Sequence, residues 1–139
     1  METELLKGNH VLIRRESFGG TLFYPNTGKR AYVNSDEFTA IKMNGSITTA
    51  LAHELSLPAC PAIIIEPSRL PEGNFSAPDT VYLEVTRACN LTCIHCFNSS
   101  GKQLTNQLTQ SQLEAVVDDL AANGVQEIRF TGGEPMALP

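Results

Sequence analysis

Apolar and polar residues alternate in short blocks along the first part of the chain. The runs at 10–16, 21–25 and 30–34 are rich in β-branched and aromatic residues, which is typical of strands. The Gly-Gly pair at 19–20 and the Asn-Thr-Gly-Lys stretch at 26–29 lie between these runs and predict hairpin breaks. The pattern therefore predicts three short strands joined by turns.

Two helices are predicted after these strands. Ser35 or Asp36 is expected to cap a helix over 36–43, and a glycine follows shortly after its end. Ser46 is expected to cap a second helix through 47–55, in which isoleucine and leucine recur on one face. Strands followed by helices predict an α+β fold for this half of the chain.

A proline-rich connector separates the two halves. Residues 58–78 contain five prolines, which disfavour regular helices and central strands. The apolar patch at 62–65 is either a short strand or a packed loop, and Cys60 is interpreted as a small buried residue rather than a ligand. We therefore predict a first domain over 1–57, this connector, and a second domain over 79–139.

The second half has a different pattern. A strand is predicted at 80–86 and another at 127–130, and a long amphipathic helix over 108–124 lies between them. Thr109 and Gln112 form a T-x-x-Q capping box at the start of that helix. A strand, a crossover helix and a second strand predict a βαβ unit with parallel strands.

Charge and composition narrow the class of protein. The 139 residues carry a net charge of −5 with a pI of about 5.1, and this acidic balance argues against a nucleic-acid partner. No apolar run approaches the roughly 20 residues of a membrane helix, and the polar N-terminus lacks a secretory signal. We therefore predict a cytoplasmic protein without a membrane partner. Thiols stay reduced in that compartment, so clustered cysteines favour metal binding or catalysis over disulfides.

Three of the four cysteines lie within eight residues, directly after the strand at 80–86. Cys89, Cys93 and Cys96 are spaced C-x3-C-x2-C, and His95 precedes the last of them. A structural zinc site takes four ligands, and a thioredoxin-like pair would leave Cys89 without a role. Three thiolates on a 4Fe-4S cluster leave one iron open to a small molecule, which accounts for all three cysteines.

These motifs resemble the signature of radical S-adenosylmethionine enzymes. The family carries C-x3-C-x2-C after its first barrel strand, and the Gly-Gly-Glu-Pro stretch at 132–135 resembles its glycine-rich motif after the next strand. The resemblance implies that the second half begins a partial (β/α)6 radical SAM barrel of the α/β class. It also implies a 4Fe-4S cluster, S-adenosylmethionine and an electron donor such as a flavodoxin or ferredoxin. One electron would cleave S-adenosylmethionine to methionine and a 5′-deoxyadenosyl radical, which abstracts a substrate hydrogen.

The same resemblance assigns roles to individual residues. The three clustered cysteines would bind the cluster. Gly132 and Gly133 would admit the methionine moiety, Glu134 would orient its ammonium group, and His95 would lie near the adenine. Glu134 also has a simpler interpretation as a charge in a turn, and no further catalytic residue is assigned.

Other polar residues near the cysteines have two interpretations each. Asn90 and Asn98 are expected to shape the loop through local side-chain hydrogen bonds. Glu84 and Arg87 flank the loop and are either directed at the site or solvated and ion-paired.

The first half is similar to the peptide-binding domains of maturases that act on ribosomally made peptides. Residues 14–38 carry this similarity to RiPP recognition elements (RRE), including the pyrroloquinoline quinone and mycofactocin chaperone types. The similarity implies a winged-helix-like domain that binds the leader of a precursor peptide by strand addition. The residues expected to bind the peptide form one strand: Arg30, Ala31, Tyr32, Val33 and Asn34.

Two functions follow from these resemblances. The first is the N-terminal part of a radical S-adenosylmethionine peptide maturase, an enzyme when complete, although one βαβ unit is only the start of a barrel. The alternative is a catalytically inactive fragment that serves as a leader-binding module. A zinc-binding interaction protein is a third interpretation.

Overall fold

The computed structural model describes residues 8–137, and the chain divides into two units between Ala77 and Pro78. The first unit contains β1 (Val11–Glu16), β2 (Gly19–Tyr24), β3 (Lys29–Asn34), α1 (Ser35–Asn44), α2 (Thr49–Glu54) and β4 (Ala62–Ile65). The second unit contains β5 (Thr80–Thr86), α3 (Gln110–Ala122), β6 (Glu127–Gly132) and a short 3₁₀ turn (Pro135–Ala137).

The first unit is built on a mixed four-stranded sheet in the order β3-β2-β1-β4. The β1–β2 and β2–β3 pairs are antiparallel, whereas β4 runs parallel to β1 and pairs Ala62 with Val11. The apolar patch of the connector is thus a strand of this sheet. Within the described residues, β3 and β4 are the two edge strands.

One face of this sheet packs against both helices. Apolar residues alternate along β1, β2 and β3 and meet the apolar faces of α1 and α2, as the strand and helix periodicities predict. Cys60 lies in this core, and its burial raises the pKa of its thiol. The fully or nearly buried members of the core include Val11, Ile13, Leu22, Val33, Phe38, Ile41, Ile47, Leu51 and Ala52.

The opposite face of the sheet carries a buried ion pair. The Arg14 Nε lies 2.7 Å from Glu16 Oε1, and neither side chain has exposed surface. The second carboxylate oxygen, Glu16 Oε2, accepts a 2.8 Å hydrogen bond from the backbone N–H of Ser76. The last residues of the connector therefore attach to this face through a buried carboxylate.

The predicted hairpin break at Gly19 and Gly20 is wrong. The turn lies at Ser17 and Phe18, and both glycines belong to β2. A Cβ at Gly20 would lie 2.9 Å from the Phe38 ring, and a Cβ at Gly19 would lie 2.2 Å from the Val33 carbonyl oxygen. The glycines are therefore required by close packing inside the sheet and not by the turn.

Both predicted N-caps in the first unit are also wrong. Asn34 caps α1, because its side chain accepts hydrogen bonds from the N–H groups of Asp36 and Glu37 while the Glu37 carboxylate accepts from Asn34 N. Thr48 caps α2 through a 3.3 Å bond from Leu51 N. Ser46 instead forms an isolated bridge with Pro61, ahead of the helix.

The second unit is the predicted βαβ arrangement. β5 and β6 pair in parallel, from Thr80 opposite Glu127 to Thr86 opposite Gly132. The Thr109–Gln112 capping box is confirmed at the start of α3. No residue of α3 is fully buried; its half-buried face consists of Leu113, Val116, Val117 and Leu120. No helix within residues 8–137 is long and apolar enough to cross a membrane.

Candidate functional site

The cysteines lie on a loop that is closed at its base. The loop leaves β5 after Thr86, and its two ends meet where Ala88 and Gly101 form an isolated parallel bridge. Cys89 N donates to Gly101 O at 3.0 Å, and Gly101 N donates to Arg87 O at 2.9 Å. These bonds join residues twelve or more positions apart and therefore give the loop a defined base.

All three thiols line one cavity of about 470 Å³. Cys89 is half-buried, and Cys93 and Cys96 are exposed. Two sulfur atoms accept backbone hydrogen bonds, since Leu91 N and Ser100 N each lie 3.4 Å from the Sγ of Cys89 and Cys96 respectively. The bond from the Ser100 backbone is the largest of the causes that lower the pKa of Cys96. This hydrogen bond therefore favours the thiolate form of Cys96.

The thiols share a cavity without forming a preformed metal site. Among residues 8–137 the structure has no group of three His, Cys, Asp or Glu side chains positioned to hold a metal ion. The donor set nevertheless fits an iron–sulfur cluster better than structural zinc, because it offers three thiols, two of which accept N–H···S bonds, and residues 8–137 add no fourth ligand to them.

The glycine-rich segment lies directly against the base of the cysteine loop. Gly133 N donates to Thr86 O and Glu134 N donates to Ala88 O, both at 2.8 Å. A Cβ at Gly132 would lie 2.1 Å from Thr86 O, and a Cβ at Gly133 would lie 2.1 Å from Ala88 O. The neighbour that requires these glycines is thus the chain's own backbone at the cysteine loop.

Glu134 and His95 differ in how firmly they are held. Glu134 is half-buried, and its Oε1 accepts a 3.0 Å bond from Met136 N at the start of the 3₁₀ turn, which supports the interpretation as a turn residue. His95 is exposed on the loop, beside the fully exposed side chains of Ile94 and Phe97. The cysteine loop therefore carries a group of side chains with no core contacts.

The predicted peptide-binding strand, β3, lies at an edge of the first unit's sheet. Ala31 and Val33 face the core, while Arg30 and Tyr32 lie on the opposite face. The Asn34 side chain is engaged in capping α1. Within the described residues no strand pairs with the outer side of β3, so β3 is an edge strand of this sheet.

A family model matches the part of the chain that carries the cysteine loop. Residues 83–139 match the Radical SAM superfamily. The predicted resemblance is confirmed for this region, which contains the cysteine loop, α3, β6 and the glycine-rich segment.

Curated relatives of the radical SAM region include peptide maturation proteins. The chain is 38% identical over 68 residues to the mycofactocin maturase MftC of Mycobacterium ulcerans, covering 49% of this chain and 18% of that protein. It is 46% identical over 57 residues to the sporulation killing factor maturation protein SkfB of Bacillus subtilis, covering 41% and 14%. The chain therefore spans less than a fifth of the length of these relatives.

A solved structure resembles most of the chain. SuiB of Streptococcus suis bound to its precursor peptide SuiA aligns with 91% of this chain and 36% of its own, with a TM-score of 0.58 and 21% identity. SuiB bound to S-adenosylmethionine aligns with the same TM-score and 18% identity. At this level of identity the likeness concerns the fold, and it extends over more of the chain than residues 83–139.

Sequence reasoning missed a polar clamp that joins the cysteine loop to the glycine-rich segment. The Asn98 Nδ2 donates to Glu84 Oε2 at 2.8 Å and to the Gly132 carbonyl at 3.3 Å, and an Arg87 guanidinium nitrogen donates to the Asn98 carbonyl. These partners lie up to 34 positions away, so the expectation of local bonds for Asn98 is wrong. Arg87 and Glu84 are ion-paired at 3.9 Å, one of the two interpretations predicted for them.

Proposed function

We propose that this chain provides the start of a radical S-adenosylmethionine peptide maturase that acts on a ribosomally made precursor peptide. One observation carries the proposal: a three-cysteine loop and a glycine-rich segment follow two adjacent parallel strands and are hydrogen-bonded to each other. Active sites of barrel enzymes lie at this end of the strands. The similarity to MftC and SkfB supports peptide maturation as the activity.

In this proposal the second unit binds the cofactors. Cys89, Cys93 and Cys96 would hold a 4Fe-4S cluster, and the N–H groups of Leu91 and Ser100 would stabilise two of the thiolates. When bound, the cluster supplies the electron that cleaves S-adenosylmethionine to methionine and a 5′-deoxyadenosyl radical. The solved complex of SuiB with S-adenosylmethionine supports this choice of cofactor.

The glycine-rich segment and His95 would complete the cofactor site. The backbone at Gly132 and Gly133 is fixed against the base of the cysteine loop and would border the methionine moiety. Glu134 would retain its bond to Met136 N while its carboxylate faces the ammonium group. The exposed imidazole of His95 would lie near the adenine.

The first unit would recognise the peptide. We propose that residues 1–57 form a winged-helix-like RRE domain, that the connector 58–78 adds β4 to its sheet, and that 79–139 begin the barrel. A leader peptide would add a strand to β3 along Arg30–Asn34, where main-chain bonds supply affinity. The SuiB complex with SuiA supports a precursor peptide as the partner.

The remaining parts of the proposal concern the cellular setting. The reaction requires an electron donor, for which a flavodoxin or ferredoxin is the chemical class. We propose a cytoplasmic location, and the net charge of −5 supports a role without nucleic acid.

Anaerobic reconstitution with iron and sulfide tests the cofactor site. The wild-type chain is expected to bind about four irons and to give an EPR signal that S-adenosylmethionine perturbs. The Cys89→Ala, Cys93→Ala, Cys96→Ala triple variant is expected to bind none, whereas the matched control Cys60→Ala, which removes a thiol from the core, is expected to bind iron like wild type.

An inactive leader-binding module is the second candidate, and one observation favours it: β3 is an edge strand of the sheet in the described part of the first unit. It predicts peptide binding without iron uptake. Reconstitution that leaves the wild-type chain iron-free, or zinc retained at the same thiols, would overturn the enzyme proposal and leave the binding module.

A further inference from the structure

Three aromatic side chains form an exposed cluster beside β3, which we name the aromatic ledge: Phe18, Tyr32 and Phe75. The ring centroids of Phe18 lie 6.3 Å from Tyr32 and 5.7 Å from Phe75, both edge to face, and Tyr32 lies 5.7 Å from Phe75. The three residues remain 40%, 62% and 51% exposed, respectively. Grouped aromatic surface of this kind marks interaction sites, because aromatic rings bury much apolar area at little entropic cost.

A buried carboxylate of the sheet fixes the position of the segment that carries Phe75. Phe75 belongs to no strand or helix, but the N–H of the next residue, Ser76, donates to the buried carboxylate of Glu16 at 2.8 Å. That carboxylate is itself paired with the fully buried Arg14. Phe18 lies in the tight β1–β2 turn and Tyr32 on β3, so these two rings are positioned by the sheet and the third by the bond at Ser76.

A positive charge lies next to the ledge on the same strand. Arg30 and Tyr32 are two residues apart and therefore project from the same face of β3. The Arg30 guanidinium carbon lies 4.4 Å from the centre of the Phe23 ring, which fixes its position, and the residue is half-buried. Along this edge strand a cation thus precedes the aromatic surface by one strand repeat.

We propose that the aromatic ledge and Arg30 each contact and recognise one side chain of the extended peptide that pairs with β3. A large apolar side chain of the peptide would pack against the ledge, and a carboxylate would face Arg30. This inference rests on the proposed function and adds the chemistry of the recognised segment.

The order of the two side chains follows from strand direction. Antiparallel pairs outnumber parallel pairs two- to three-fold, and β3 already pairs in this way with β2. An antiparallel peptide meets Tyr32 first and Arg30 two residues later. The recognised segment is therefore an apolar residue, any residue, then Asp or Glu.

Fluorescence anisotropy with labelled synthetic peptides and the full chain tests the proposal. The probe has about ten Thr and Val residues, with one Phe followed two positions later by Glu. Three altered peptides are each expected to bind roughly five-fold more weakly. They carry Ala in place of Phe, Gln in place of Glu, or the Phe and the Glu in exchanged positions.

Protein variants locate the two contacts. Phe75→Ala is expected to lower the affinity for the Phe-containing peptide roughly five-fold. Its affinity for the Ala-containing peptide is expected to stay unchanged, because only the Phe of the peptide contacts the Phe75 ring. Arg30→Gln is expected to remove the preference for Glu over Gln. Met43→Ala is the matched control, because Met43 is a large exposed apolar residue on α1 and outside the ledge.

The outcomes separate this inference from the proposed function. Binding that shifts the β3 amide resonances but is unaffected by Phe75→Ala overturns the ledge and leaves strand addition intact. Equal affinity for the exchanged peptide overturns the proposed order. If none of these peptides binds, peptide recognition by the aromatic ledge and Arg30 is overturned. Iron uptake by the cysteines remains an independent measure of the cofactor proposal.

Discussion

Removing the Asn98 side chain should loosen the contact between the cysteine loop and the glycine-rich segment. In Asn98→Ala, Glu84 loses a 2.8 Å donor and the Gly132 carbonyl loses a 3.3 Å donor. A hydrogen bond to a charged group contributes about 1.5–3 kcal/mol and a neutral one about 0.5–1.5 kcal/mol. The Glu84 side chain is 42% exposed, so solvent replaces part of the first bond and we expect a total loss of about 1.5 kcal/mol.

Native-state hydrogen exchange followed by NMR measures this loss at the affected residues. The amides of Gly133 and Glu134 are bonded to Thr86 O and Ala88 O, directly after the carbonyl that Asn98 holds. A loss of 1.4 kcal/mol corresponds to about ten-fold faster exchange where local opening controls the rate. Both amides should therefore exchange about ten-fold faster in Asn98→Ala.

Two further variants sharpen the test. Asn98→Asp should be at least as disruptive, because a carboxylate cannot donate and carries the same charge as Glu84. Asn90→Ala should leave both amides unchanged, since Asn90 is exposed in the same loop and the structure shows no side-chain hydrogen bond for this residue. Unchanged exchange at Gly133 and Glu134 in Asn98→Ala would refute the clamp.

Three substitutions elsewhere have expected effects on the free energy of unfolding, each measured by chemical denaturation. Gly133→Ala should cost several kcal/mol because its Cβ would lie 2.1 Å from a backbone oxygen, whereas Gly101→Ala, with no atom within 4 Å, should be nearly neutral; equal costs would contradict the steric argument. Glu16→Gln should cost about 3–5 kcal/mol because it removes the carboxylate charge that lies 2.7 Å from the buried Arg14 guanidinium, and a cost below about 1 kcal/mol would show that the pair is not buried in solution. Lys42 lowers the pKa of Glu66 from 4.5, so this exposed pair contributes stability above pH 4.5 that disappears as the pH falls through the lowered pKa. Glu66→Gln should therefore cost up to about 1 kcal/mol at pH 7 and nothing at pH 2, and a cost that persists at pH 2 would exclude the charge interaction.

Local patterns predicted the regular elements well where the signals were unambiguous. The strand at 80–86 and the capping box of α3 occur as predicted, because each depends on neighbours within a few positions. The N-cap of α1 was predicted wrongly although a signal was present. Asn34 and Glu37 are three residues apart and satisfy the capping-box pattern, whereas Ser35 and Asp36 are only adjacent alternatives.

Contacts between distant segments account for what the sequence did not predict. The break assigned to Gly19 and Gly20 assumed that glycine marks a turn, but the structure uses Gly20 for the approach of Phe38 from α1. Likewise, nothing near Glu16 in the sequence indicates that a connector residue 60 positions away donates to its carboxylate. Such contacts depend on the topology and carry no local periodicity.

The candidate site was only partly predictable for the same reason. The cysteine spacing and the glycine-rich motif identify the segments, and the βαβ pattern predicts that they follow neighbouring parallel strands. Asn98 was assigned local bonds because Asn commonly makes them. Its actual partners are Glu84 on β5 and the carbonyl of Gly132 on β6, and these become neighbours only once the strands pair.

The distribution of buried residues explains why the polar clamp matters to the site. All the buried apolar residues of the described chain except Val85 lie in the first unit, and α3 buries none completely. One βαβ unit cannot cover both faces of its sheet, and an apolar cavity of about 420 Å³ accordingly lies between α3 and the strands, lined by Val85, Leu113, Val117 and Phe130. The hydrophobic effect therefore contributes little to fixing the cysteine loop. Hydrogen bonds must instead hold the cysteine loop and the glycine-rich segment together: the backbone bonds at Gly133 and Glu134, the bridge at Ala88 and the bond from the Asn98 side chain. The precision of the proposed cofactor site therefore depends on hydrogen bonds.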